Sequence, residues 1–80
     1  MSMPSIGPTV RAAAERAAAE NEISIEEVFE KTKRPECVRA RRMVMFELRD
    51  AGWSLSRIGR VFDYDHTTIL YHTRGEKPGA

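Results

Sequence analysis

Apolar residues in this chain recur at spacings of three and four, and the runs they form are cut at Pro35, at Gly52 and at the Asp63-Tyr64 pair. Such a pattern confines it to helices, most of them too short to stand alone in water, so they must share one core. The start and stop signals divide the chain further. Thr9 is a fair cap for an alanine-dense helix from Val10 to about Glu20, ended at Asn21. Its apolar side is mostly alanine, which buries little, so this first helix is expected to act as a linker or partner-facing element rather than as core. Ser24-Ile25-Glu26-Glu27 is a capping box opening a short helix through about Lys31, with Ile25, Val28 and Phe29 inward. Thr32-Lys33-Arg34-Pro35 breaks the pattern into a basic loop.

A longer amphipathic helix runs from Glu36 to about Ala51, carrying Val38, Met45, Phe46 and Leu48 on one side and Arg39, Arg41, Arg42 and Arg49 between them. Gly52 closes it and Ser54 caps the next, whose Leu55, Ile58, Val61 and Phe62 form one stripe. After Asp63-Tyr64, Asp65 or His66 begins a last helix through about Arg74. The expectation is an all-α domain of about five helices with no strand. Residues 1–22 form a frayed Pro/Gly-containing start plus the alanine-rich helix, 23–74 the main domain, and 75–80 a flexible tail or linker.

Eighty residues suffice for one modest core, and 41% hydrophobic with 31% charged residues is ordinary globular composition. No stretch approaches the roughly 18 apolar residues of a membrane span, and the N-terminus lacks the basic-then-apolar order of a secretory signal. A cytoplasmic location is expected. Cys37 has no partner for an internal disulfide, and with only His66 and His72 it makes no plausible zinc set. Neither metal nor cofactor is expected. Trp53 and Phe62 are expected in the core, and Met43 and Met45 as gap fillers.

Net charge is only +1, yet it is strongly polarised. Residues 1–30 carry two arginines against six glutamates, whereas residues 31–62 hold nine lysines and arginines against three acids. A basic half suits a phosphate-rich partner. Residues 54–74 supply what a groove reader needs: two short helices closely joined, the second rich in small hydrogen-bonding side chains. On that second helix Thr67, Leu70 or Tyr71, and Arg74 share one face, while Ile69 points to the core. Threonine presents a hydroxyl and a methyl to base edges, and aspartate accepts from cytosine N4.

The run Ser54-Leu55-Ser56-Arg57-Ile58-Gly59-Arg60-Val61-Phe62, followed by Asp65-His66-Thr67-Thr68-Ile69-Leu70, resembles the C-terminal DNA-binding domain of the bacterial replication initiator DnaA. Asp-His-Thr-Thr is that family's signature. The resemblance extends back through Val38-Arg39-Ala40-Arg41-Arg42-Met43-Val44-Met45 to Ile25-Glu26-Glu27-Val28-Phe29, covering roughly residues 23–74. It implies a helix-turn-helix of the DnaA or Trp-repressor-like kind, with the signature helix in the major groove and the basic loop in the adjacent minor groove. By position, Asp65, His66, Thr67 and Thr68, with Tyr71 one turn on, would face the bases. Lys33 and Arg34 would enter the minor groove, and Arg39, Arg42, Arg57, Arg60 and Arg74 would hold phosphates. The family usually has Gly-Gly-Arg or Gly-x-Arg before the signature; here Asp63-Tyr64 is one residue shorter and lacks the arginine.

No Gly-x-x-x-x-Gly-Lys-Ser/Thr loop is present, so no nucleotide is expected to bind. DnaA-like domains also occur detached from an ATPase in bacterial and phage regulators, including activators of gene transfer agents. The expected function is therefore sequence-specific binding of double-stranded DNA for a transcriptional regulator, with transcription machinery or a second domain beyond residue 80 as further partners. The rivals are a protein-interaction module docking an acidic partner and a replication-origin-binding domain. Enzymatic activity is not expected, because both histidines are better explained on the reading helix.

Overall fold

The computed structural model describes residues 7–75, and its elements follow from local chemistry. Helix α1 spans Pro8–Asn21, α2 Ile25–Phe29, α3 Pro35–Asp50, α4 Leu55–Phe62 and α5 His66–Thr73, with no strand among the described residues. The fold is thus all-α with five helices. The start before residue 7 and the tail after residue 75 lie outside the described residues.

Two helices open on proline. Pro8 and Pro35 occupy first-turn positions, where the missing N–H has no intrahelical acceptor to lose. Gly7, not Thr9, is therefore the cap of α1. The capping box of α2 forms as the sequence predicts: the Ser24 N–H donates to Glu27 Oε1 at 2.8 Å, and the Glu27 N–H donates to Ser24 Oγ at 3.3 Å. Ser54 and Asp65 cap α4 and α5 in the same sense.

Three helices stop by one device. A residue turns left-handed (Glu22 at φ 55°, Gly52 at φ 93°, Asp63 at φ 58°), and the next N–H reaches back over the last turn. Those bonds are Ile23 to Ala18, Trp53 to Leu48 and Tyr64 to Gly59, at 3.0, 3.0 and 2.8 Å. The following apolar side chain, Ile23, Trp53 or Tyr64, is thereby folded against the core.

Two further expectations need correction. Helix α2 ends at Phe29 rather than near Lys31, and Glu30 is already extended at ψ 140°. The cause is Arg41, only 6% exposed, whose guanidinium donates to the carbonyls of Glu30 and Thr32 and so draws them out of the helical path. The second correction concerns α1, which is core and not a linker. Val10, Ala13, Ala14, Ala17 and Ala18 are all buried, and α1 against α3 is the most extensive helix-helix contact of the described chain. Alanine lets the two backbones approach closely, so small side chains still exclude water. Val28, Val44, Met45, Leu48, Ile58, Phe62 and Ile69 complete the interior, and the Phe29 and Phe62 rings stack at 5.4 Å. Trp53 and Met43 are only partly buried at its margin.

Candidate nucleic-acid interface

Helices α4 and α5 are joined by Asp63-Tyr64-Asp65, and the turn is tight enough to specify a glycine. A Cβ on Gly59 would sit 2.4 Å from the Tyr64 carbonyl oxygen, so only glycine lets the turn fold back onto α4. From the other side, Lys31 Nζ donates to the Asp63 carbonyl at 3.0 Å and lies 3.4 Å from its carboxylate. It also stands 5.1 Å above the Tyr64 ring. The end of α2 and the start of the basic loop are thus fastened to the turn before α5, while Arg41 holds the loop's carbonyls from beneath.

Helix α5 is fixed along one side only. Ile69 and Thr73 are buried. The Thr73 hydroxyl donates to the Ile69 carbonyl at 2.7 Å and accepts from Arg49 Nη1 at 3.0 Å. Arg42 Nε donates to the His72 carbonyl at 3.0 Å. With α3 gripping this side, the outer side carries His66, Thr67, Leu70, Tyr71 and Arg74, all exposed, with Thr68 half-buried at its edge. An α-helix is about 10 to 12 Å across with its side chains, a match to a major groove about 12 Å wide.

Several expected contact residues already have partners. Asp65 Oδ1 accepts from the Thr67 N–H at 3.4 Å and lies 2.9 Å from His66 Nδ1. Arg34 is held at both ends of its fork: Nε to Glu36 and Nη1 to Glu27, each at 2.7 Å. This pairing holds the Arg34 guanidinium firmly protonated, with Glu36 the larger influence. In return Glu36 is pulled below the usual carboxylate range by Arg34, and Glu27 by the Ser24 N–H first and Arg34 second. Lys33 is exposed beside it.

The remaining arginines are dispersed. Arg39 reaches the Asn21 amide oxygen at 3.2 Å, beside the end of α1. Arg42 and Arg74 line a cleft with Val38, Tyr71, His72 and Gly75 at the end of α5, and Arg74 stands 5.2 Å over the Tyr71 ring. The Arg57 guanidinium stands over the Trp53 ring at 3.7 Å, and Arg60 is exposed one turn along α4. No hydrogen bond or ion pair ties either to α5. His72 is held below the ordinary imidazole value, first by burial and then by the charges of Arg42 and Arg41.

Sequence reasoning missed the structural roles of Gly59 and Arg41. Gly59 is a lone glycine inside a helical stripe, which itself signals close backbone approach. Arg41 gave no signal separable from its basic neighbours. No group of three His, Cys, Asp or Glu side chains among the described residues is placed to hold a metal ion. Nor is any described helix long and apolar enough to cross a membrane.

A tight two-helix unit whose second helix is anchored along one side and exposed along the other is a helix-turn-helix of the DNA-binding class. The family model described as the bacterial DnaA protein helix-turn-helix matches residues 10–75, and the chain belongs to that family. The match begins in α1, in keeping with that helix's place in the core. No curated protein and no solved structure shows a significant match.

Proposed function

We propose that the chain binds a particular double-stranded DNA sequence as the DNA-binding domain of a transcriptional regulator, of the kind found in bacteria, phages and gene transfer agents. In this reading α5 lies in the major groove with Asp65, His66, Thr67, Thr68 and Tyr71 toward base edges. Lys33 and Arg34 reach into the neighbouring minor groove, where a narrow width concentrates negative potential. Arg39, Arg42, Arg57, Arg60 and Arg74 sit along the phosphates, which position the domain without reading sequence. The chain is read as non-enzymatic and cytoplasmic.

One observation carries the proposal: the side of α5 opposite Ile69 and Thr73 is unobstructed and bears the Asp-His-Thr-Thr signature. The Lys31 to Asp63 link supports it further, because it keeps the basic loop beside the turn that leads into α5. Selection of bound duplexes from a random pool tests it, and one preferred site is expected. Thr67→Ala then costs about 1 to 3 kcal/mol at a single base position and relaxes specificity there, whereas Arg39→Ala weakens every duplex alike and lowers the salt slope by about 1. Equal affinity for selected and random duplexes contradicts the reading. Undiminished binding by Thr67→Ala and Arg34→Ala variants favours instead a module that docks an acidic partner.

A further inference from the structure

Among the described residues, large apolar side chains are buried or packed at the margin of the core, with two exceptions: Leu70 is 45% exposed and Tyr71 66%. The two are adjacent, and both lie on the outer side of α5. At about 100° per residue they flank Thr67, Leu70 on the His66 side and Tyr71 on the side facing α3. Tyr71 has company: His72 meets its ring edge-on at 5.7 Å, and Arg74 covers it. The cleft it lines is bounded by Val38 and Arg42. Leu70 has neither a ring nor a cation against it and stands one turn beyond His66, at the helix surface that carries the signature.

Leucine offers no hydrogen bond, so in a groove its value is apolar contact. In the major groove, the apolar feature that distinguishes one base from the others is the C5-methyl of thymine. We infer that Leu70 is a specificity-determining residue that packs on a thymine methyl, in the base pair next to the one His66 faces. This rests on the reading of α5 as the major-groove helix and adds a hydrophobic contact to its polar ones.

Replacing thymine by uracil removes that methyl and nothing else, so the contact can be read one position at a time on the selected duplex. For the wild-type chain, one thymine-to-uracil exchange under α5 is expected to weaken binding about fourfold, the worth of one buried methyl group. In Leu70→Ala that penalty vanishes at this position while penalties elsewhere persist, and in Leu70→Met, which keeps an apolar side chain, it remains. Because Leu70 is half exposed, the thermal midpoint of both variants should match the wild type. Two results overturn the inference while leaving base reading by α5 intact: a Leu70→Ala variant that keeps every uracil penalty, or a preferred site without thymine beneath α5. Absence of any preferred duplex removes the reading and the inference together.

Discussion

In the proposed complex Arg34 would meet nucleic acid from an occupied state. Its fork already bridges Glu27 and Glu36, and entry into a minor groove requires exchanging two carboxylates for phosphate and base-edge acceptors. Those ion pairs are exposed, so each is worth little and the exchange is easily made. On the proposed reading the carboxylates would therefore act as a mild competitor for the DNA. Glu36→Gln should tighten binding to every duplex by about two- to fivefold, a span that exposed pairs support. Combined with Arg34→Ala, the same substitution should give no gain, and titrations of the four variants distinguish release of Arg34 from simple loss of negative charge. The sequence showed the cations and the acids, but not which would meet. Glu27 read only as a cap residue, and its second role depends on the loop bending Arg34 back across α2.

At the scale of elements, the helix-turn-helix depends on the approach of Tyr64 to Gly59. Gly59→Ala forces a Cβ against a backbone carbonyl that has no room to yield without moving the turn. It should destabilise the domain by about 1 to 3 kcal/mol. For a domain this small, that is a fall in thermal midpoint of roughly 4 to 8 °C per kcal/mol. A midpoint unchanged by this substitution would show that the turn is looser than described. Helix starts and stops were largely legible because caps are local: Ser24, Ser54, Asp65 and Gly52 each announce their role within a few residues. The end of α2 was not, since its cause, Arg41, lies eleven residues away from Glu30. Nor was the core role of α1. An alanine stripe has a weak apolar signature, and its burial depends on a partner helix coming close enough to make small side chains sufficient.

Across the whole molecule, α3 is the beam on which both ends rest, with α1 on one side and α5 on another. Its arginines have divided duties: Arg41 holds the loop, Arg42 and Arg49 hold α5, and Arg39 remains at the surface. That arrangement puts His72 in a partly buried, cationic setting that favours its neutral form. The unfolded chain, with an imidazole near 6.5, binds the proton more readily. Stability is therefore complete above about that pH and declines as pH falls below it. Glu27 and Glu36, also depressed in the fold, add a second loss below about their ordinary value of 4.5. Denaturant midpoints measured from pH 8 to pH 3 should fall in two steps, and His72→Asn should flatten the upper step while leaving the acid one.

The proposed orientation of the domain on DNA is tested most directly by dimethyl sulfate protection of the selected duplex. This reagent methylates guanine N7 in the major groove and adenine N3 in the minor groove, so one experiment reports both contacts. N7 protection is expected over the few base pairs beneath α5, with N3 protection immediately beside it beneath Lys33 and Arg34. Sequence-preferring binding that leaves every N7 as reactive as in free DNA would contradict it.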